Sequence, residues 1–280
     1  MDWHVPADES SEPGDDDSAF DGDADIAYAL LLADDQWGSD GAVDYRAAAE
    51  TVIAGLGASV LGPTSRLPLL GDWVDPGGAT FGEYTPRPSD FLPAHFRAFA
   101  AIDPVWSDVV DATQDVIDQV QADHAPETGL WPDFLVPEGR TGLPLAPAPP
   151  GWLEDTTDGA WAYNATRVGW RIGVDAAYNA NPRSIAAVER ISVWARTETG
   201  GDPEKLHAGY RLDGTPLPGS DYATSVFVAP MAVAAMSDPG GQAWLDATYG
   251  FARTAEEGYF EDTVTLLCLL AVGGNAWQPE

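Results

Sequence analysis

The chain has 280 residues, carries 45 Asp and Glu against 13 Lys and Arg for a formal charge of -32 at pH 7, and is 45% hydrophobic. That balance excludes wholesale disorder, and it excludes a partner gripped through its phosphate backbone, so no nucleic acid is expected. The length suits one large domain or two small ones; no stretch reads as a linker, no apolar run reaches the roughly 18 residues of a membrane helix, and Met-Asp-Trp-His-Val-Pro lacks the basic start and apolar core of a signal peptide.

Residues 1–18 are polar and acidic and read as irregular backbone, Trp3 excepted. From 19 to 37 the spacing predicts a helix: Ile26, Leu30, Ala33 and Trp37 fall at i, i+4, i+7 and i+11 and form one apolar stripe. Asp21, Asp23 and Asp25 crowd its first turn, where a carboxylate caps the helix or meets the positive end of its dipole. A calcium loop counted from Asp21 fails, because the positions that need Gly and Glu are Ile26 and Leu32.

A second helix is expected from 43 to 56, then a Gly/Pro-rich loop with Gly71-Asp72-Trp73. Ser89 or Asp90 is the expected cap of a helix containing His95 to Phe99, and Pro104 opens another that runs to 122. Long loops occupy 127–151. Helical periodicity resumes at 159–180, 182–197, 222–236, 242–252 and 259–272, and strand-like alternation is scarce. About nine helices joined by alternately short and long connections predict an all-α fold of helical hairpins.

Cys268 is the single cysteine and sits in an apolar run, so a buried structural thiol is expected. His4, His95, His124 and His207 are scattered without metal-ligand spacing, so neither a metal nor another cofactor is expected.

The string around Asp21-Gly22-Asp23, leading into Ile-Ala-x-Ala-Leu-Leu, resembles the signature of glycoside hydrolase family 8, with Phe20 where Ser or Thr is usual. Collinear matches continue through Gly-Asp-Trp at 71–73, Arg-Pro-Ser-Asp-Phe at 87–91, His-Phe-Arg-Ala-Phe at 95–99 and Pro-Asp-Phe at 132–134. Further matches are Trp-Leu-Glu at 152–154, Tyr-Asn-Ala-Thr-Arg-Val at 163–168 and Gly-Tyr-Arg-Leu-Asp-Gly at 209–214. The resemblance implies an (α/α)6 barrel of twelve helices, of which about three are lacking here. It thus implies a single catalytic domain over 1–280, shortened at its N-terminus relative to the family.

The same resemblance implies an inverting endo-hydrolase of a β-1,4-linked polymer; cellulose, mixed-linkage β-glucan and chitosan all fit. Inversion needs a protonated acid on one side of the glycosidic bond and a carboxylate that activates water on the other. The family's acid lies in a glycine-rich motif upstream of the signature, and neither Glu9 nor Glu12 has such surroundings. Where some members carry a base Asp, this chain has Asn164, which takes no proton at neutral pH. In the subgroup with Asn there the resemblance moves the base to Glu154, with Asp155 and Asp158 as the next carboxylates in line. Asp21 would hold the distorted sugar, Tyr163, Asn164 and Arg167 would flank sugar and water, and Trp73 and Trp3 would offer aromatic faces to pyranose rings. The family implies secretion or a periplasmic location and a monomer when complete. A glycan-binding protein that has lost hydrolysis is the alternative.

Overall fold

The computed structural model describes residues 17–139 and 142–279. Its helices are α1 (Phe20–Trp37), α2 (Tyr45–Ser59), α3 (Pro93–Ala100), α4 (Val105–Asp123), α5 (Thr166–Asn179), α6 (Pro182–Thr199), α7 (Ser225–Ala235), α8 (Gln242–Ala252) and α9 (Tyr259–Val272). Two single turns of 3-10 helix, Pro88–Asp90 and Pro203–Lys205, and one short hairpin of β1 (Leu135–Pro137) and β2 (Leu145–Pro147) complete the regular structure among the described residues. In the hairpin, Leu135 pairs with Pro147 and Pro137 with Leu145, antiparallel. The expected all-α class of helical hairpins is what these elements form. No helix among the described residues is long and apolar enough to cross a membrane.

Two compact units divide the chain. The first holds the described residues of Met1–Pro86, with His95–Thr113 and Gln278–Glu280. There α1 pairs with α2, and the face that α1 buries is Phe20, Ala24, Ala27, Tyr28 and Leu31. This corrects the expected stripe: Ile26 is 45% exposed and Trp37 72% exposed. α1 is apolar on more than one side, and the small Ala24 and Ala27 let a neighbouring backbone approach closely where Ile26 and Trp37 would hold it off. Phe20 meets Phe96 edge-on at 6.0 Å, and Phe96 stacks on Trp106 at 5.4 Å, which gives this unit an aromatic core.

The second unit comprises Arg87–Ala94 and Gln114–Trp277. Its centre is α7, all of whose residues are buried, as expected of a helix that is apolar all round. α5, α6, α8 and α9 pack on it. Gly169 and Gly173, one turn apart on α5, make this close: a Cβ at Gly173 would stand 2.9 Å from Val233, and one at Gly169 3.3 Å from Met231. Pro230 inside α7 has no N–H, so the carbonyl of Val226 loses its helical donor; the hydroxyl of Thr166, first residue of α5, donates to it instead. Asn181 caps α6 by accepting from Arg183 and Ser184, ahead of Pro182 in the first turn, and Gly200 ends it in the left-handed region at φ 64°.

Several helix starts differ from expectation; α2 opens at Tyr45 rather than at 43 and α7 at Ser225 rather than at 222. Ala19, not an aspartate, occupies the cap position of α1 and makes no side-chain cap bond, and Asp21 and Asp23 lie inside the first turn. Ser89 and Asp90 belong to the buried 3-10 turn rather than to the cap of α3, which opens at Pro93. α5 begins at Thr166 instead of near 159, because partners distant in sequence take the preceding amides: Trp161 donates to the carbonyl of Tyr210 at 2.9 Å, and Ala162 to Asp133 at 3.2 Å. Cys268 is buried as expected, and burial pushes its thiol up.

Candidate active site

In the second unit, the chain between the β-hairpin and α5, with the first turn of α5, brings Glu154, Asn164 and Arg167 into one hydrogen-bonded group, and Tyr163 stands next to Asn164 in the chain. Residues 151–158 form a run of turns. Asp158, 1% exposed, holds them from inside: its carboxylate accepts the N–H of Leu153 at 2.7 Å, of Glu154 at 3.2 Å and of Asp155 at 2.9 Å. Three amides converging on one carboxylate fix the backbone from which the Glu154 side chain projects. Glu154 itself is exposed, and its Oε2 accepts from the Asn164 amide at 2.8 Å.

Arg167 settles which way Asn164 faces. A guanidinium has donors alone, so its Nη2, 2.8 Å from Oδ1 of Asn164, takes the amide oxygen and leaves the NH2 for the carboxylate. The result is a directed chain, Arg167 to Asn164 to Glu154. Arg167 also lies 6.0 Å over the ring of Phe260, a cation–π contact that steadies the guanidinium. Asn164 thus links the Arg167 guanidinium to the Glu154 carboxylate and holds that carboxylate in one direction.

Beneath this group lies Asp133, 4% exposed. Its Oδ1 accepts the N–H of Ala162 at 3.2 Å and of Ala165 at 2.6 Å, so one buried oxygen spans the turn that presents Tyr163 and Asn164. Burial pushes this carboxyl up to about 7, against the pull of the backbone amides of Ala165, Ala162 and Asn164 and the charge of Arg167. Tyr163 is 39% exposed and sets its ring edge-on to Phe227 at 5.1 Å; its hydroxyl meets that of Tyr222 at 3.0 Å. Burial first, then the Tyr222 hydroxyl and the charges of Glu261 and Glu257, raise the phenol far above its ordinary range, so it stays a neutral hydroxyl.

Of the carboxylates in this group, Asp133 and Asp158 are buried and bound to backbone amides, whereas Glu154 reaches solvent. Asp158 is therefore a brace for the loop. Asp155 also faces solvent and accepts from the N–H of Thr156.

Asp21 belongs to the first unit. Its Oδ1 accepts from the N–H of Gly22 at 3.0 Å in the first turn of α1. One loop is strapped to the approach to that helix: Asp72 accepts the Ser18 N–H at 2.8 Å, and the Ser18 hydroxyl accepts the Asp72 N–H at 3.3 Å. Gly71 is required at this crossing, since a Cβ would stand 2.3 Å from the Ser18 carbonyl oxygen. The loop presents Trp73, 41% exposed and edge-on to Phe81 at 5.5 Å. Trp3, the other expected aromatic face, lies outside the described residues.

Sequence reasoning gave no part to Asp133, Tyr222 or Phe260, and it placed Asp158 among candidate bases. Pro132-Asp133-Phe134 was visible as a motif, but an aspartate that serves amides some thirty positions away has no local signature.

The family model described as Glycosyl hydrolases family 8 matches residues 1–274. A beta-glucanase of Niallia circulans is 37% identical over 93% of this chain and 63% of its own length. An endoglucanase of Bacillus sp. (strain KSM-330) is 37% identical over 100% of this chain and 58% of its own. The chain therefore spans about three fifths of the length of these curated relatives. Among solved structures, the apo beta-1,3-1,4-glucanase from Paenibacillus sp. X4 superposes with a TM-score of 0.90 at 35% identity, over 95% of this chain and 70% of that one.

Proposed function

The chain belongs to glycoside hydrolase family 8, and we propose that it provides the base side of an inverting endo-hydrolase acting on β-glucan, with Glu154 as the general base. The observation that carries this is the state of Glu154: exposed, held at 2.8 Å by an Asn164 that Arg167 orients, beside two aspartates committed to backbone amides. An exposed carboxylate fixed in direction is what water activation requires. Asp21, which matches the signature aspartate, is proposed to hold the distorted sugar through hydrogen bonds that strengthen in the transition state. Trp73 and Tyr163 are proposed as ring contacts.

β-Glucan is preferred to chitosan because the relatives at 35% to 37% identity are named for glucan substrates. A polymer of that size is met outside the cell, so secretion accompanies the reading, as does action as a monomer.

The test is hydrolysis of mixed-linkage β-glucan, carboxymethyl cellulose and chitosan by the full-length protein and its Glu154→Gln variant. Glutamine keeps size and polarity but takes no proton. Turnover is expected to fall by about 10² to 10⁴-fold while oligosaccharide binding persists. Near-normal turnover in the variant moves the base elsewhere, and preferential cleavage of chitosan overturns the substrate assignment.

A further inference from the structure

We propose that Asp133 is a positioning residue for the reaction: by holding the turn at 162–165 it sets where Asn164 meets Glu154, and so orients the carboxylate that activates water. The proposal rests on the reading of Glu154 as the base.

The contacts form an unbroken path. Oδ1 of Asp133 accepts from Ala162 at 3.2 Å and from Ala165 at 2.6 Å, the residues on either side of Tyr163 and Asn164. Between those two anchors the backbone has little freedom, so the Asn164 side chain leaves it in a fixed direction toward Oε2 of Glu154, 2.8 Å away. The backbone next to Asp133 ties down the other side of the same loop: its N–H donates to the Ala160 carbonyl at 2.8 Å, and the Phe134 N–H donates to the Asp158 carbonyl at 2.8 Å. Asp158 in turn holds the amides of Leu153, Glu154 and Asp155. Both the carboxylate and the amide that aims it are thus referred to one short segment, Asp133-Phe134.

An acceptor is indispensable at this place. Ala162 and Ala165 are 4% and 0% exposed, so without Asp133 their N–H groups would lie buried and unpaired, and the turn would shift to find other partners. Because Asp133 is 4% exposed and its Oδ1 is engaged by the Ala162 and Ala165 amides, it acts through Asn164 and not on the sugar. The carboxyl pushed up to about 7 by burial agrees with this part, since the C=O of a protonated acid still accepts hydrogen bonds.

The experiment is a double-mutant cycle in the full-length protein, with kcat and KM on β-glucan as readouts for Asp133→Ala, Asn164→Ala and the pair, and with Asp133→Asn as the conservative variant. Asp133→Ala is expected to lower kcat by about 10- to 100-fold at nearly unchanged KM, the effect of a displaced catalytic group. In the Asn164→Ala background the same substitution should cost almost nothing, because the group it positions is gone. Asp133→Asn keeps an acceptor oxygen and should restore most of kcat. Should Asp133→Ala fail to fold, Asp133→Ser, whose shorter side chain cannot serve both amides, replaces it with the same expectations. Costs of Asp133 and Asn164 that simply multiply overturn the proposal, and so does a melting temperature that falls while kcat of the folded protein is unchanged. Glu154→Gln in the same assay separates the two failures: if it is inactive and the cycle is additive, only the part given to Asp133 falls, whereas if it turns over normally the premise falls with it.

Discussion

Glu154 and Asp21 are held by opposite means. Asp21 stands in the first turn of an 18-residue helix, where the repeat of the backbone sets the direction of its side chain. Glu154 stands in a run of turns, and its direction is imposed by Asp158 on its own loop and by Asn164 ten positions later, itself governed by Arg167 and Asp133. A helix end is positioned by its neighbours in sequence and is robust to change nearby. The loop is positioned by buried polar groups, each of which must stay in place, and that makes the Glu154 loop the more exacting of the two regions.

The largest effect that sharpens this contrast comes from pH. The Asp133 carboxyl, ordinarily near 3.8, is pushed up to about 7, so between those values the folded chain keeps a proton that the unfolded chain has released. Its contribution therefore favours folding most at the acid end, declines as pH rises through that window, and levels off above about 7, a change of about 4 kcal/mol at most. Urea midpoints of the wild type and of Asp133→Asn, measured from pH 4 to 8, isolate it: the difference between the two proteins should vary with pH over that window. A constant difference would show that Asp133 is already ionised at its acid end.

Steric change gives the next effect. A Cβ at Gly159, between the Glu154 loop and α5, would stand 2.2 Å from the Ala148 carbonyl oxygen, a backbone atom that cannot swing away. Gly159→Ala is expected to cost about 1–3 kcal/mol by chemical denaturation and to lower turnover as well. Unchanged stability would mean the loop has slack, and the contrast with α1 would weaken.

The smallest effect has the opposite sign. Gly22 sits beside Asp21 inside α1, and a Cβ there meets nothing within 4 Å. Gly22→Ala should stabilise the protein by about 0.5–1 kcal/mol, because alanine has less freedom to lose on entering a helix. A lower melting temperature would show that α1 is not governed by its local sequence.

Much of the fold was legible because it follows from repeat patterns. Helices α8 and α9 begin and end where the apolar period does, and α6 is bounded by Asn181-Pro182 and Gly200, signals that act through the backbone next to them. Burial of Cys268 and of all of α7 likewise follows from apolar surroundings. What the sequence by itself determined is thus the all-α class and the limits of most helices; its motifs also singled out Glu154, Asn164 and Arg167, which the fold brings into one hydrogen-bonded chain.

Tertiary structure decided which of several apolar faces α1 buries, since Ala24 and Ala27 matter only when a partner helix comes near. It also decided where α5 begins: the amides of Trp161, Ala162 and Ala165 donate to Tyr210 and Asp133, far off in sequence, and not to a preceding turn. And it decided that Asp158 and Asp133 are braces while Glu154 stays in solvent. Local propensity fixes what a residue does with its neighbours along the chain, but a carboxylate's part depends on which distant donors reach it and on whether water does, and both are properties of the folded packing alone.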